Sequence, residues 1–114
     1  MRWKDVCKVA RRLPEVEDGV SYGTQGLRVR GAFVARLSED GRSMSVNVGE
    51  ERCAALCDAR PQAFSPAPDK WMMIVRLPAV GPSEVWEVLL ASWRRSAPAS
   101  LVAAADPERG PQNG

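Results

Sequence analysis

The sequence predicts a single α+β domain: an antiparallel sheet of about four strands packed against helices, in the order α-β-β-β-α-β-α. Three observations predict it. The hydrophobic period changes along the chain from three-to-four residues to two and back again. The strands arrive as consecutive hairpin partners rather than alternating with helices, which separates α+β from a doubly wound sheet. A chain of 114 residues with 45% apolar and 26% charged side chains suits one domain with its own core.

Residues 3–12 read as the first helix, with Trp3, Val6, Cys7 and Ala10 at spacings of three and four among basic neighbours. Pro14 stops it, because proline cannot continue the helical hydrogen-bond ladder. Glu15 to Gly19 reads as an acidic loop, and Ser21-Tyr22-Gly23-Thr24 as a turn-rich lead into a strand. The period then becomes two. Leu27 and Val29 alternate with Arg28 and Arg30 in a first strand, and Gly31 supplies a tight turn. In the second strand Phe33, Ala35 and Leu37 alternate with Val34 and Arg36. Glu39-Asp40-Gly41-Arg42 is a hairpin signal, since Gly after Asp accepts positive φ. In the third strand Met44, Val46 and Val48 alternate with Ser43, Ser45 and Asn47.

Residues 50–59 read as a second helix with Cys53, Leu56 and Cys57 on its apolar stripe and Glu50 and Glu51 in the first turn, where they complement the helix dipole. Residues 61–69, with Pro61, Pro66 and Pro68, read as a loop. Trp71 to Leu77 is a fourth strand, apolar enough to be covered on both faces. A third helix, 82–96, carries Val85, Trp86, Leu89, Leu90 and Trp93 on one face. The domain is expected to span 1–102, followed by a flexible tail over 103–114 that is rich in Ala, Pro and Gly.

Net charge is +2, and residues 1–78 hold 13 Lys/Arg against 10 Asp/Glu, so the positive charge belongs to the first two-thirds of the chain. The three cysteines are an odd number with no secretory segment before them, which predicts a cytoplasmic protein with reduced thiols. No stretch approaches the ~18 apolar residues of a membrane span. The chain contains no histidine, which removes Ser-His-Asp triads, Cys-His pairs and histidine metal sites together. Cys53 and Cys57 lack the two further soft ligands a zinc site needs. No catalytic residue, metal ligand or cofactor is therefore assigned, and the expected protein is not an enzyme.

The alternation places Arg28 and Arg30 on one face of the first strand, extended by Arg36 on the second and joined by Arg76 on the fourth. None of these outward positions is acidic. Arginine forks bind phosphate oxygens bidentately, so the set, with Lys70, is a candidate site for DNA or another anion. Tyr22 and Trp71 are candidates for stacking, or for lining a pocket that takes a small anionic or aromatic ligand. The alternative functions are small-molecule binding or sequestration, as in a resistance protein, and a protein-interaction module or homodimer.

Leu13-Pro14-Glu15-Val16-Glu17, Ser21-Tyr22-Gly23-Thr24, Leu27-Arg28-Val29-Arg30-Gly31 and Phe33-Val34-Ala35-Arg36-Leu37 together resemble the MmcQ/YjbR family of small bacterial proteins. Lys70-Trp71-Met72, Ala91-Ser92-Trp93-Arg94, Ala97-Pro98 and Leu101 are similar too, so the resemblance covers residues 3–102. It rests on the order and spacing of these stretches. The resemblance implies a fold of the kind called a double-wing DNA-binding motif, a label given for structural similarity to a phage transcription-factor domain. Family members often carry Tyr where Trp93 stands and Lys where Asn47 stands, so strand three here brings no cation. The family has no agreed catalytic residues to transfer.

Overall fold

Each element begins or ends where the sequence supplies a reason. The computed structural model describes residues 1–21, 23–68 and 72–108. Helix α1, Trp3–Ala10, buries Trp3, Val6, Cys7 and Ala10, and the Asp5 carboxylate accepts the Arg2 backbone N–H at 3.1 Å to cap its first turn. Strands β1 (Val16–Ser21), β2 (Thr24–Val29), β3 (Ala32–Leu37) and β4 (Ser43–Val46) follow as antiparallel neighbours. Arg30 at φ 48° and Gly31 at φ 84° form the two-residue turn between β2 and β3. Positive φ at both positions is the type I′ geometry that matches strand twist. The Asp40 carboxylate accepts the N–H groups of Arg42 and Ser43 at 2.8 and 3.2 Å in the next turn, where Gly41 has φ 71°.

Helix α2, Glu50–Ala59, packs on β5, Phe64–Pro66. Strand β6, Met73–Arg76, runs into a 3₁₀ turn over Leu77–Ala79, then α3, Pro82–Ser96, and α4, Ala99–Ala105. The sheet order is β1-β2-β3-β4-β6-β5, and every neighbouring pair is antiparallel. The architecture is the expected α+β one, but the sheet has six strands rather than about four.

The two additional strands lie where loops were expected. Glu15–Gly19 does not loop out: Val16 to Ser21 pairs residue for residue with Val29 to Thr24, forming one edge of the sheet. Its carboxylates disguise it, since Asp and Gly are depleted in strands, yet charges on an edge strand discourage pairing with other chains. β5 is three residues ending in Pro66, and it forms the opposite edge, the place where a sheet tolerates proline.

One face of the sheet holds the core. Leu27, Val29, Ala35, Met44, Val46, Met73, Val75 and Phe64 are all buried there. α3 packs across β3 and β4 and against α1. Trp93 is fully buried, and its indole N–H donates to the Pro14 carbonyl at 2.9 Å, tying α3 to the α1–β1 connection. Trp3 and Trp86 are buried as well, and the Arg12 guanidinium lies 4.4 Å over the Trp86 ring.

The second strand departs from simple alternation. Arg28 faces Phe33 and Leu27 faces Ala35, so Val34 is an extra residue in β3, a β-bulge. Val34 and Ala35 both turn inward and Phe33 turns outward, which corrects the grouping of Phe33 with Ala35 and Leu37. Helix α3 fixes the bulge. The buried Ser92 hydroxyl donates to the Val34 carbonyl at 2.6 Å, and the Ser96 hydroxyl donates to the Phe33 carbonyl. Ser92 and Ser96 are four apart and so lie on one helix face.

The boundary expected at 102 falls within α4. Beyond it, Asp106 accepts two bonds from the Arg94 guanidinium at 2.6 and 2.9 Å, and Glu108 accepts the Trp86 indole N–H at 2.9 Å.

Arg60, at the end of α2, ties that helix to the start of α3. Its guanidinium pairs with Glu84 and donates to the Ala79 carbonyl at 2.9 Å, while Glu84 also accepts the Gly81 N–H at 3.2 Å. The Arg60 hydrogen bond is the main cause that holds the Glu84 carboxyl below its ordinary value of 4.5. A lowered folded-state pKa means the ionised form favours the fold. That contribution is fully present above about pH 4.5 and is lost as the pH falls through the folded-state value. Urea midpoints measured between acid and neutral pH should fall below that point. Glu84→Gln should remove on the order of 0.5–1 kcal/mol at neutral pH and flatten this part of the profile.

Candidate nucleic-acid interface

The side of the sheet away from α1 and α3 carries the exposed arginines. Gly26 faces Arg36 on β3, Arg36 faces Ser45 on β4, and Ser45 faces Ile74 on β6. Arg28 lies two residues beyond Gly26 in one direction and Arg76 two residues beyond Ile74 in the other. The register therefore sets Arg28, Arg36 and Arg76 on a diagonal across the sheet. With strands about 4.8 Å apart and about 3.4 Å per residue, its Cα length is roughly 20 Å.

All three side chains are exposed, and among the described residues no carboxylate is ion-paired to any of them. Arg28 donates to the Gly31 carbonyl and Arg76 to the Pro61 carbonyl, each at 3.4 Å, which leaves most of each guanidinium fork unused. Because β1 is a strand, Glu17 also becomes an outward position, opposite Arg28, so the face is not entirely free of acid.

Arg30 leaves this set. It stands in the β2–β3 turn rather than on the strand, and both arms of its guanidinium bond Glu15 at 2.7 and 2.9 Å. That bidentate pair lowers the pKa of Glu15 and raises that of Arg30, in each case first through the side-chain hydrogen bond. The positive φ that the turn demands is what takes the side chain off the alternation. Tyr22, Lys70 and Trp71, also candidates from the sequence, lie outside the described residues.

Phe33 is a residue that sequence alternation missed. The bulge displays it on the arginine face, directly opposite Arg28. It is half-buried and is not part of the hydrophobic core cluster. With Thr24, Gly26, Arg28 and Arg36 it borders a shallow hollow on that face.

Among the described residues, other chemistry-bearing groups do not assemble elsewhere. Cys53 and Cys57 are half-buried with their sulfurs 3.8 Å apart on α2. Burial, then the bond to Cys53, pushes the Cys57 thiol up to about 11, so at neutral pH it is protonated and a poor nucleophile. Burial likewise raises Cys7. Among the described residues no three His, Cys, Asp or Glu side chains gather as a metal site. A groove of about 580 Å³ at the start of α2 has Glu50 and Glu51 as well as Arg52 and Arg95 on its walls, so it collects no single sign of charge. No helix among the described residues is long and apolar enough to cross a membrane.

The model of the YjbR family matches residues 11–95. In structure the chain is similar to Deinococcus radiodurans protein DR2400, described by the family-model domain DUF419. The TM-score is 0.73 at 22% identity, over 96% of this chain and 88% of that one, a likeness of fold. Among curated proteins none matches in sequence.

Proposed function

The chain belongs to the YjbR family, and from that premise we propose that it is a non-enzymatic DNA-binding protein that takes phosphates on its arginine-bearing sheet face. One observation carries this reading. Arg28, Arg36 and Arg76 stand exposed on a single face with no ion-paired carboxylate among the described residues. Glu17 stands opposite Arg28 on the same face without an ion pair to it, so the three guanidinium charges are not neutralised by a paired carboxylate among the described residues. Guanidinium forks at intervals across one sheet face suit the regularly spaced oxygens of a nucleic-acid backbone.

Phosphate contacts displace counterions, so affinity must fall with salt. Three such contacts give a slope of about −2 to −3 in log K against log salt, or a roughly 20- to 40-fold loss between about 50 and 200 mM. Fluorescence anisotropy with labelled duplex and single-stranded oligonucleotides at those two concentrations tests it. Absence of binding to either at the lower concentration sinks the reading.

A further inference from the structure

An aromatic ring held on a basic sheet face calls for a reason in packing or in binding, and packing does not supply one. Phe33 lies outside the hydrophobic cluster that takes up its strand neighbours Ala32, Val34 and Ala35. A regular β3 would have kept Phe33 on the same face as Ala35. The bulge instead inserts Val34 inward and leaves Phe33 outward, and the Ser92 and Ser96 hydroxyls hold it there through the Val34 and Phe33 carbonyls. Bulges commonly re-aim a side chain at a functional surface.

The surroundings of the ring suit a flat ligand with charges on either side. Arg28 faces Phe33 from β2, and Arg36 follows it on the same face of β3 beyond the bulge. Next to Arg36 the cross-strand pair Gly26 and Gly19 presents no side chain, and a Cβ at Gly19 would meet nothing within 4 Å. Among the described residues no cation covers the Phe33 ring.

We propose that this face binds single-stranded nucleic acid, with an unpaired base stacked on Phe33 and the flanking phosphates taken by Arg28 and Arg36. The proposal rests on the reading of the face as a nucleic-acid site and narrows it. In a duplex the base faces are stacked on one another, and Phe33 could reach only the backbone or a groove edge. In a single strand each base offers a free π-face, and aromatic stacking is largely indifferent to sequence.

The test compares wild type, Phe33→Leu and Phe33→Tyr on three labelled probes: a single strand, the same strand with abasic sugars, and the duplex. Leucine keeps apolar bulk without a π-face, and tyrosine keeps the ring. Phe33→Leu should weaken the single strand roughly tenfold and leave the abasic strand and the duplex unchanged, while Phe33→Tyr retains most of the affinity. Circular dichroism and the urea midpoint check that both variants fold, as a residue outside the core should allow. Equal loss on the abasic strand, or no loss on the single strand, overturns the stacking site and leaves phosphate binding standing. Failure of all three probes to bind wild type overturns both.

Discussion

Replacing Trp93 with alanine is expected to lower the stability of the fold by about 3–5 kcal/mol, the upper range for a core substitution. The ring is fully buried at the junction of α3, the sheet and the α1–β1 connection. Its removal leaves a large cavity in a close-packed core that can collapse only in part to fill it. Domains of this size have total stabilities of about 5–15 kcal/mol, so the variant should retain only a fraction of its margin. Thermal unfolding should show a midpoint lower by on the order of 15–25 °C. Trp93→Phe separates volume from hydrogen bonding. Phenylalanine restores most of the apolar contact but leaves the Pro14 carbonyl without its indole donor, a loss of about 1–3 kcal/mol. A small effect of the alanine variant would mean that the helix layer is loosely packed.

The same residue illustrates what could be read from the sequence. Trp93 closes the run Val85, Trp86, Leu89, Leu90, whose spacing places α3 over 82–96, and the helix spans Pro82–Ser96. α2 likewise occupies Glu50–Ala59, the segment its acidic first turn and following proline mark out. These elements are legible because their signals are local. β1 was not, because Glu17, Asp18 and Gly19 argue for a loop by composition, and only the pairing with β2 makes them a strand. β5 is too short to show a period. The arginine face was half legible. Alternation found Arg28, Arg36 and Arg76, but the type I′ turn removed Arg30, and the helix serines that pin the bulge brought in Phe33. Both corrections come from geometry between elements. The Gly31 signal did locate the turn; the missing step was that its partner position also requires positive φ.

That geometry sets the sharpest functional expectation, which concerns the slope of the salt dependence rather than affinity alone. For a single strand each phosphate contact contributes about 0.7 to the slope, which, taken relative to about 1 M salt where the counterion contribution vanishes, corresponds to roughly eightfold in affinity near 50 mM salt and threefold near 200 mM. Neutralising Arg28, Arg36 and Arg76 together with glutamine should therefore weaken binding about 500-fold at the lower concentration and bring the slope close to zero. Single variants should each reduce the slope by about 0.7. Arg30→Gln serves as the control, since its charge is already matched by Glu15 and its side chain stands in the turn. It should leave the slope unchanged. All four positions are exposed, so the substitutions should leave the urea midpoint near that of wild type. A slope that survives the triple substitution would move the site to the basic residues of α1, Lys4 and Lys8, on the other side of the sheet. A slope that falls equally with Arg30→Gln would mean that diffuse charge, and not the diagonal, carries the binding. The diagonal makes a narrower demand: three arginines count, a fourth two residues away in sequence does not, and the difference is the ion pair that the turn creates.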